Sequence, residues 1–295
     1  ALRTVIGWKN TTPRCRAPIG TMETATSARF TPTTVYDAVA VAVFPARSVA
    51  VRCHANLPPV INERPLPVIA LVPAAGSGSR LGHALPKQYV PVGDRPLIHH
   101  TLARLASHSR IDRVVVVLSA DDSRFDTEDG ATMPGKLEVL RTGGATRAET
   151  VRNGLRALSG ATDSRAWILV HDAARPCVTH GLIDRMLHEL EDDPVGGIAA
   201  LPVADTLKRA DADRRIVGTV VRTGLWAAQT PQMFRLGPLL AALEAADPAH
   251  ITDEAGAMEA AGHRPRLVEG DATNIKVTYA RDVALAARFL GQDGL

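Results

Sequence analysis

Three uninterrupted apolar runs constrain this chain most: Val68-Ile69-Ala70-Leu71-Val72, Val114-Val115-Val116-Val117-Leu118 and Trp167-Ile168-Leu169-Val170. A strand without a polar face must be covered on both sides, as strands of a parallel sheet are. Helical stripes lie between and after the runs: Leu97, Ile98, Leu102 and Leu105; Val151, Leu155 and Leu158; Leu182, Ile183, Met186, Leu187 and Leu190. This repetition of strand and helix predicts an α/β fold with a mostly parallel sheet and helices on both faces. In such sheets ligands bind beyond the carboxyl ends of the strands, so the segments after Val72 and Val170 are the places to look for chemistry.

The first of these segments reads Pro73-Ala74-Ala75-Gly76-Ser77-Gly78-Ser79-Arg80-Leu81-Gly82-His83-Ala84-Leu85-Pro86-Lys87. Gly76, Gly78 and Gly82 let main-chain N–H groups turn toward a ligand, and a concave row of such donors suits phosphate. Arg80 and Lys87 add two positive charges that a plain turn does not need. Two common phosphate loops are excluded. Gly82 is followed by His83 and Ala84 rather than Lys and Ser or Thr, and Leu81 stands where a dinucleotide fingerprint needs its third glycine.

The second segment is His171-Asp172-Ala173-Ala174-Arg175-Pro176. Asp172 can hold Mg2+, which prefers oxygen ligands and bridges to phosphates. Arg175 can grip a phosphate with two parallel hydrogen bonds. The alternative is structural, with Asp172 capping the next helix and Arg175 as its partner. Thr142-Gly143-Gly144-Ala145-Thr146-Arg147-Ala148-Glu149-Thr150 is another strand-to-helix turn. It can admit a nucleobase or ribose, and Thr146 with Glu149 also fits a capping box. Ile251-Thr252-Asp253-Glu254-Ala255 reads as a helix start capped by Thr252 or Asp253. Asn274-Ile275-Lys276-Val277-Thr278 reads as a short strand carrying a lysine. Residues 203–209 and 215–221 read as two polar strands about a turn. An isolated hairpin is marginal, so this one is expected to pack on a second subunit.

Charge is unevenly placed. Residues 1–66 hold eight Lys/Arg and three Asp/Glu, whereas the remainder holds 26 and 28, so the net +3 of the chain arises in its first part. The basic balance therefore gives no ground for a nucleic-acid partner. No apolar run is long enough to cross a membrane. Residues 1–66 are rich in Thr, Ser, Arg and Pro. They are expected to be a disordered or non-catalytic extension, with a transit peptide or a start at Met22 as alternatives. Cys15, Cys53 and Cys177 form no C-x-x-C pair and show no zinc-ligand spacing, which fits a reducing compartment.

Taken together, the segments resemble the 2-C-methyl-D-erythritol 4-phosphate cytidylyltransferases from about residue 68 to 290. The resemblance rests on the strings quoted above after Val72 and Val170. It also rests on Pro86-Lys87-Gln88-Tyr89, Asp205-Thr206-Leu207-Lys208, Thr230-Pro231-Gln232, Ile251 to Ala255 and Asn274 to Thr278, all in family order. It implies a Rossmann-like domain over residues 67–295 with a projecting β-arm at about 203–222, working as a homodimer through that arm. It further implies transfer of a cytidylyl group from CTP to methylerythritol phosphate, with Mg2+ and release of pyrophosphate.

By motif position, Ala74, Ala75, Gly76, Gly144, Thr150, Asp172 and Ala173 would bind the nucleotide. Arg80 and Lys87 would stabilise the transferring phosphate, and Asp172 and Asp271 would hold the metal. Arg175, Thr206, Arg222, Thr252 and Lys276 would position the acceptor. Thr150 stands where the family usually has Ser, and residues before about 66 have no counterpart in compact bacterial members. The resemblance points to a cytoplasmic enzyme, or a plastid one if the extension is a transit peptide. Two competing readings are ribitol-5-phosphate cytidylyltransferase and a catalytically silent nucleotide-binding protein.

Overall fold

The computed structural model describes residues 66–76, 85–125, 135–247 and 250–292, together with the backbone of two short strands further upstream. The chain divides into two units, residues 1–62 and 63–295. In the first, β1 (Val39–Ala42) and β2 (Val51–His54) pair antiparallel. The rest of the extension lies outside the described residues.

The second unit is built on one seven-stranded sheet. Its strands are β3 (Val68–Pro73), β6 (Arg113–Val117), β7 (Leu137–Leu140), β8 (Trp167–Val170), β9 (Gly196–Pro202), β12 (Trp226–Arg235) and β13 (Arg266–Glu269), in the order β13-β9-β12-β8-β3-β6-β7. Only β12 runs antiparallel to its neighbours β8 and β9. The expected mostly parallel sheet is therefore present. A small antiparallel pair, β4 (Pro91–Val92) and β5 (Arg95–Pro96), leads into the first helix.

The helices cover both faces, and strand alternation decides which. Val68, Ala70 and Val72 of β3 point to one side, where α1 (Leu97–Ser107) and α3 (His180–Leu190) bury Ile98, Leu102, Leu105, Leu182, Ile183 and Met186. Ile69 and Leu71 point to the other, where α2 (Arg147–Ser159), α4 (Leu236–Ala245) and α5 (Glu254–Ala260) contribute Val151, Leu155, Leu239, Leu243 and Met258. Each fully buried Leu or Ile side chain contributes about 1.5–3 kcal/mol to this sandwich. A third apolar cluster joins α6 (Ala280–Gln292) to Val92, Leu97, Cys177 and Val277. Buried Cys177 donates to the Ala286 carbonyl oxygen, so it packs rather than offering a nucleophile.

The hairpin expected between β9 and β12 is present with shorter strands, β10 (Leu207–Ala210) and β11 (Ile216–Val220). It forms its own two-stranded sheet, and its residues are almost all exposed. The segment 274–278 is not a strand, contrary to expectation. Among the described residues, it makes one main-chain bond to the neighbouring segment, from Val277 N–H to the Ala174 oxygen. Side chains hold it instead: Asn274 Nδ2 donates to the Thr230 oxygen, and Asp282 accepts from the N–H groups of Thr278 and Tyr279.

Candidate active site

The carboxyl ends of β3 and β8 open into a cavity of about 280 Å³. Its wall is formed by Pro73 to Gly76, Lys87 and Gln88, the turn from Gly144 to Arg147 with Thr150, Asp172 to Ala174, and Lys276. Of the residues expected to act at the site, the structure thus brings together Ala74, Ala75, Gly76, Lys87, Gly144, Thr150, Asp172, Ala173 and Lys276. Arg80, with Gly78 and Gly82, lies outside the described residues.

Each wall is held from behind. Ala74 continues the sheet, donating its N–H to the Val117 oxygen while its own oxygen accepts from Gln88 Nε2. Its main chain is thereby committed, and Ala75 and Gly76 form the part of the described loop beyond it. The opposite wall must come close, and glycine permits this. A Cβ on Gly143 would run into Ala75 Cβ and stand 2.7 Å from the Leu118 oxygen. The hydroxyl of Thr150 accepts from Gly144 N–H at 3.1 Å and donates to the Thr146 oxygen at 2.9 Å. A serine would do the same, which accounts for either residue serving here. Thr146 and Glu149 form the expected capping box of α2.

Asp172 is the only carboxylate among the described residues lining the cavity. Arg147 Nε donates to its Oδ1 at 2.9 Å, and Lys276 Nζ lies 2.6 Å from its Oδ2. Arg147 also closes a two-bonded pair on Glu254, with Nη1 to Oε1 at 2.7 Å and Nη2 to Oε2 at 3.1 Å. Burial alone would raise the Asp172 pKa, but Arg147 and Lys276 outweigh it and hold the carboxyl well below the usual range. Burial likewise opposes the Arg147 charge, and its two carboxylates more than restore it. Burial pushes Glu254 up, partly offset by Arg147.

A chain of hydrogen bonds orients Asp172 from beneath. Its N–H donates to Thr230 Oγ1, which lies 3.1 Å from His171 Nδ1; His171 Nε2 lies 3.0 Å from the Arg175 carbonyl oxygen. A carbonyl only accepts, so Nε2 carries the proton and Nδ1 accepts from the Thr230 hydroxyl. His171 is fully buried, and burial pushes its pKa down to about 4.

The remaining expected residues lie elsewhere. Arg175 is buried behind the cavity, where Nη1 donates to the Asn274 oxygen at 2.7 Å and burial lowers its pKa. Its N–H donates to the Asp172 carbonyl oxygen at 3.0 Å, but its guanidinium bonds elsewhere, and Asp172 caps no helix; Thr179 caps α3. Asp271 accepts from Thr179 Oγ1 at 2.7 Å and from Arg185 at 3.3 Å, away from the cavity lining. Thr252 is exposed just before α5, whose N-cap is Asp253. Thr206 and Arg222 flank the β10–β11 hairpin and are exposed. Sequence reasoning assigned no role to Arg147, Glu254 or Thr230. In the sequence they stand only as an arginine within the glycine turn, an acid heading an apolar helix face and a threonine before a proline.

The cavity is thus glycine-walled and cation-lined, and lies at the ends of the central strands of a mostly parallel α/β sheet. Residues 68–292 match the 2-C-methyl-D-erythritol 4-phosphate cytidylyltransferase family, and the chain belongs to that family. A protein of this name from Dechloromonas aromatica (strain RCB) is 57% identical over 221 residues, covering 75% of this chain and 96% of that one. Another, from Azoarcus sp. (strain BH72), is 55% identical over 217 residues, covering 74% and 91%. The crystal structure of a 4-diphosphocytidyl-2C-methyl-D-erythritol synthase superposes with a TM-score of 0.68 at 42% identity, covering 76% of this chain and 99% of that one. The Francisella tularensis enzyme gives 0.66 at 30% identity, with the same coverage.

Proposed function

We infer that the chain transfers the cytidylyl group of CTP to 2-C-methyl-D-erythritol 4-phosphate in the non-mevalonate isoprenoid pathway. The products are 4-diphosphocytidyl-2-C-methyl-D-erythritol and pyrophosphate. The observation that carries this reading is the cavity itself. Arg147 and Lys276 pair with one carboxylate, Asp172, and Lys87 lines the same cavity beside a glycine-bearing wall, in a chain of this family. A phosphate oxygen of the acceptor forms a bond to the α-phosphorus of CTP as the bond to the bridging oxygen breaks, and pyrophosphate leaves with that oxygen. No protein nucleophile is required, because phosphoryl-type transfer is mainly positioning and charge stabilisation.

Lys87 and Lys276 reach the cavity where negative charge collects, and Arg80 would join them from the loop. Gly76 leaves room for the nucleotide, and Ala75 and Gly144 would line its path. Mg2+ fits a site of this make-up. Among the described residues no group of three His, Cys, Asp or Glu could hold a metal by itself. A single carboxylate is what Mg2+ takes when phosphates and waters supply its other ligands. Asp172 would hold it, and the cation would neutralise charge on the triphosphate. The structure does not bring Asp271 to that position.

The hairpin supports a homodimer. Ile216, Val217 and Val221 are 67, 59 and 77% exposed, and a second copy of the chain would cover them. Thr206 and Arg222 would then reach acceptor phosphate in the other subunit, with Arg175 and Thr252 shaping the acceptor side. Among the described residues no helix is long and apolar enough to cross a membrane. The bacterial relatives support a cytoplasmic setting.

Pyrophosphate release from CTP and Mg2+ tests this reading, with methylerythritol 4-phosphate and ribitol 5-phosphate offered side by side. Preference for the first is expected. Preference for the second moves the protein to another pathway, and release with neither overturns catalysis.

A further inference from the structure

Arg147 is the first residue of α2, yet its guanidinium joins two other elements: the end of β8 through Asp172 and the start of α5 through Glu254. The planar fork explains how. Nη1 and Nη2 take both oxygens of Glu254, which fixes the plane of the group, and Nε is left aimed at Asp172 Oδ1. Asp172 is also pinned through its N–H by Thr230. Its two oxygens are thereby made unequal. Oδ1 is committed to Arg147, while Oδ2 faces Lys276 beside the cavity.

Stability alone gives poor reason for such an arrangement. Buried ion pairs seldom stabilise more than a well-packed apolar pair, and breaking one strands a charge. Glu254 is wholly buried and is not among the residues lining the active-site cavity, so its carboxylate serves Arg147 rather than a substrate. Arg147 also offsets that negative charge close to where a triphosphate would lie.

We propose that Arg147 is a positioning residue for cytidylyl transfer: anchored on Glu254, it holds Asp172 so that one oxygen alone is presented to Lys276 and the substrates. The assignment rests on the cytidylyltransferase reading above.

Three variants test it: Arg147→Gln, Arg147→Lys and the double variant Arg147→Gln/Glu254→Gln. The first strands Glu254 and can fail to fold; the double variant removes both charges and keeps the test open. The double variant is expected to melt near the parent, with kcat lower by about 10–100-fold and KM for CTP changed little. Arg147→Lys keeps the charge but cannot span both carboxylates, so it is expected to leave kcat low. A double variant with kcat near the parent value overturns the proposal. So does an unchanged kcat with a tenfold or greater rise in KM for CTP, which would make Arg147 a nucleotide ligand. A crystal structure of the double variant decides the point without turnover. Asp172 is expected to rotate and share both oxygens with Lys276, and an unmoved Asp172 overturns the assignment. If the parent protein turns over neither acceptor, the functional reading falls, while this structural arm still gives its own answer.

Discussion

Lys276 Nζ lies 2.6 Å from Asp172 Oδ2, so the two groups proposed to handle phosphate and metal neutralise each other across the cavity. Lys276 remains about half exposed, with 47% of its side chain reached by solvent. The lysine end is solvated, and Arg147 still pairs with the buried carboxylate when the lysine is removed, so its loss costs little stability. The pair therefore makes more sense as a poised site than as a brace. Lys276→Met is expected to melt close to the parent and to lose about 10²–10³-fold in kcat, as for other preorganised charge stabilisers. Stopped-flow or coupled pyrophosphate assays measure this, and a kcat within a few fold of the parent would reduce the pair to a structural contact.

Lys87 enters the cavity from the short 3-10 turn that follows the glycine loop. Gln88 and Tyr89 anchor that turn by their burial, and Gln88 also bonds to the Ala74 oxygen. Removing the lysine head should leave this anchor intact. Lys87→Ala is expected to keep its thermal transition and to lose most turnover, again by about 10²–10³-fold. Activity near that of the parent would remove Lys87 from the mechanism.

The β10–β11 hairpin gives a separable prediction. Arg222→Ala is expected to raise KM for the acceptor while leaving CTP affinity, read by calorimetry, unchanged. Loss of CTP binding would show that the hairpin does not serve the acceptor side. Val217→Asp should destabilise the proposed dimer, seen as a smaller species in analytical ultracentrifugation, because a charge would be buried in the interface. Unaltered sedimentation would place any dimer contact elsewhere.

The three apolar runs and the helical stripes were legible because burial writes itself into residue type and period. The sheet and both helical layers followed from them, and the capping box from Thr146 and Glu149 themselves. Segment 274–278 misled because its apolar residues bury Val277 and Ile275 against α6 rather than into a sheet. Asp172 was legible as a cavity residue by its place after a strand. Its partners Arg147 and Lys276 were not, nor was Glu254 behind Arg147, since these residues are distant in sequence and meet only through the fold. Arg175 looked like the natural partner by proximity. Its side chain instead turns under the Asn274 segment.

Gly143 tests how closely the two walls of the site must approach. Its backbone conformation is ordinary, so the constraint is space alone. Gly143→Ala would press a methyl group onto Ala75 and the Leu118 carbonyl. Overpacking of this kind typically destabilises by about 1–3 kcal/mol. The shift should appear in urea melts together with a rise in KM for CTP. A fully stable variant with parental KM would mean that the walls can part without consequence.

His171 sets the expected pH dependence of stability. Its pKa falls from an ordinary value near 6.5 to about 4 in the folded protein, because burial excludes the charged ring. Its bond to the Arg175 oxygen and the nearby Asp172 charge favour the charged ring, but burial outweighs them. A proton on Nδ1 would displace the Thr230 hydroxyl hydrogen and disturb the bond that holds Asp172 N–H. The unfolded chain binds this proton more readily than the folded one. The His171 contribution is therefore complete above pH 6.5 and is lost as pH falls toward 4, by up to about 3 kcal/mol. Burial also lowers the His108 pKa, which adds a change of the same sign. Glu254 opposes both, since its raised pKa makes the folded state take up a proton above the unfolded value. The difference between parent and His171→Gln isolates the term. In urea melts the parent should lose its advantage over the variant as pH is lowered from 7.5 to about 4.5. A difference that stays constant over that range would mean that His171 is not held neutral, and the hydrogen-bonded chain from Asp172 to Arg175 would need another account.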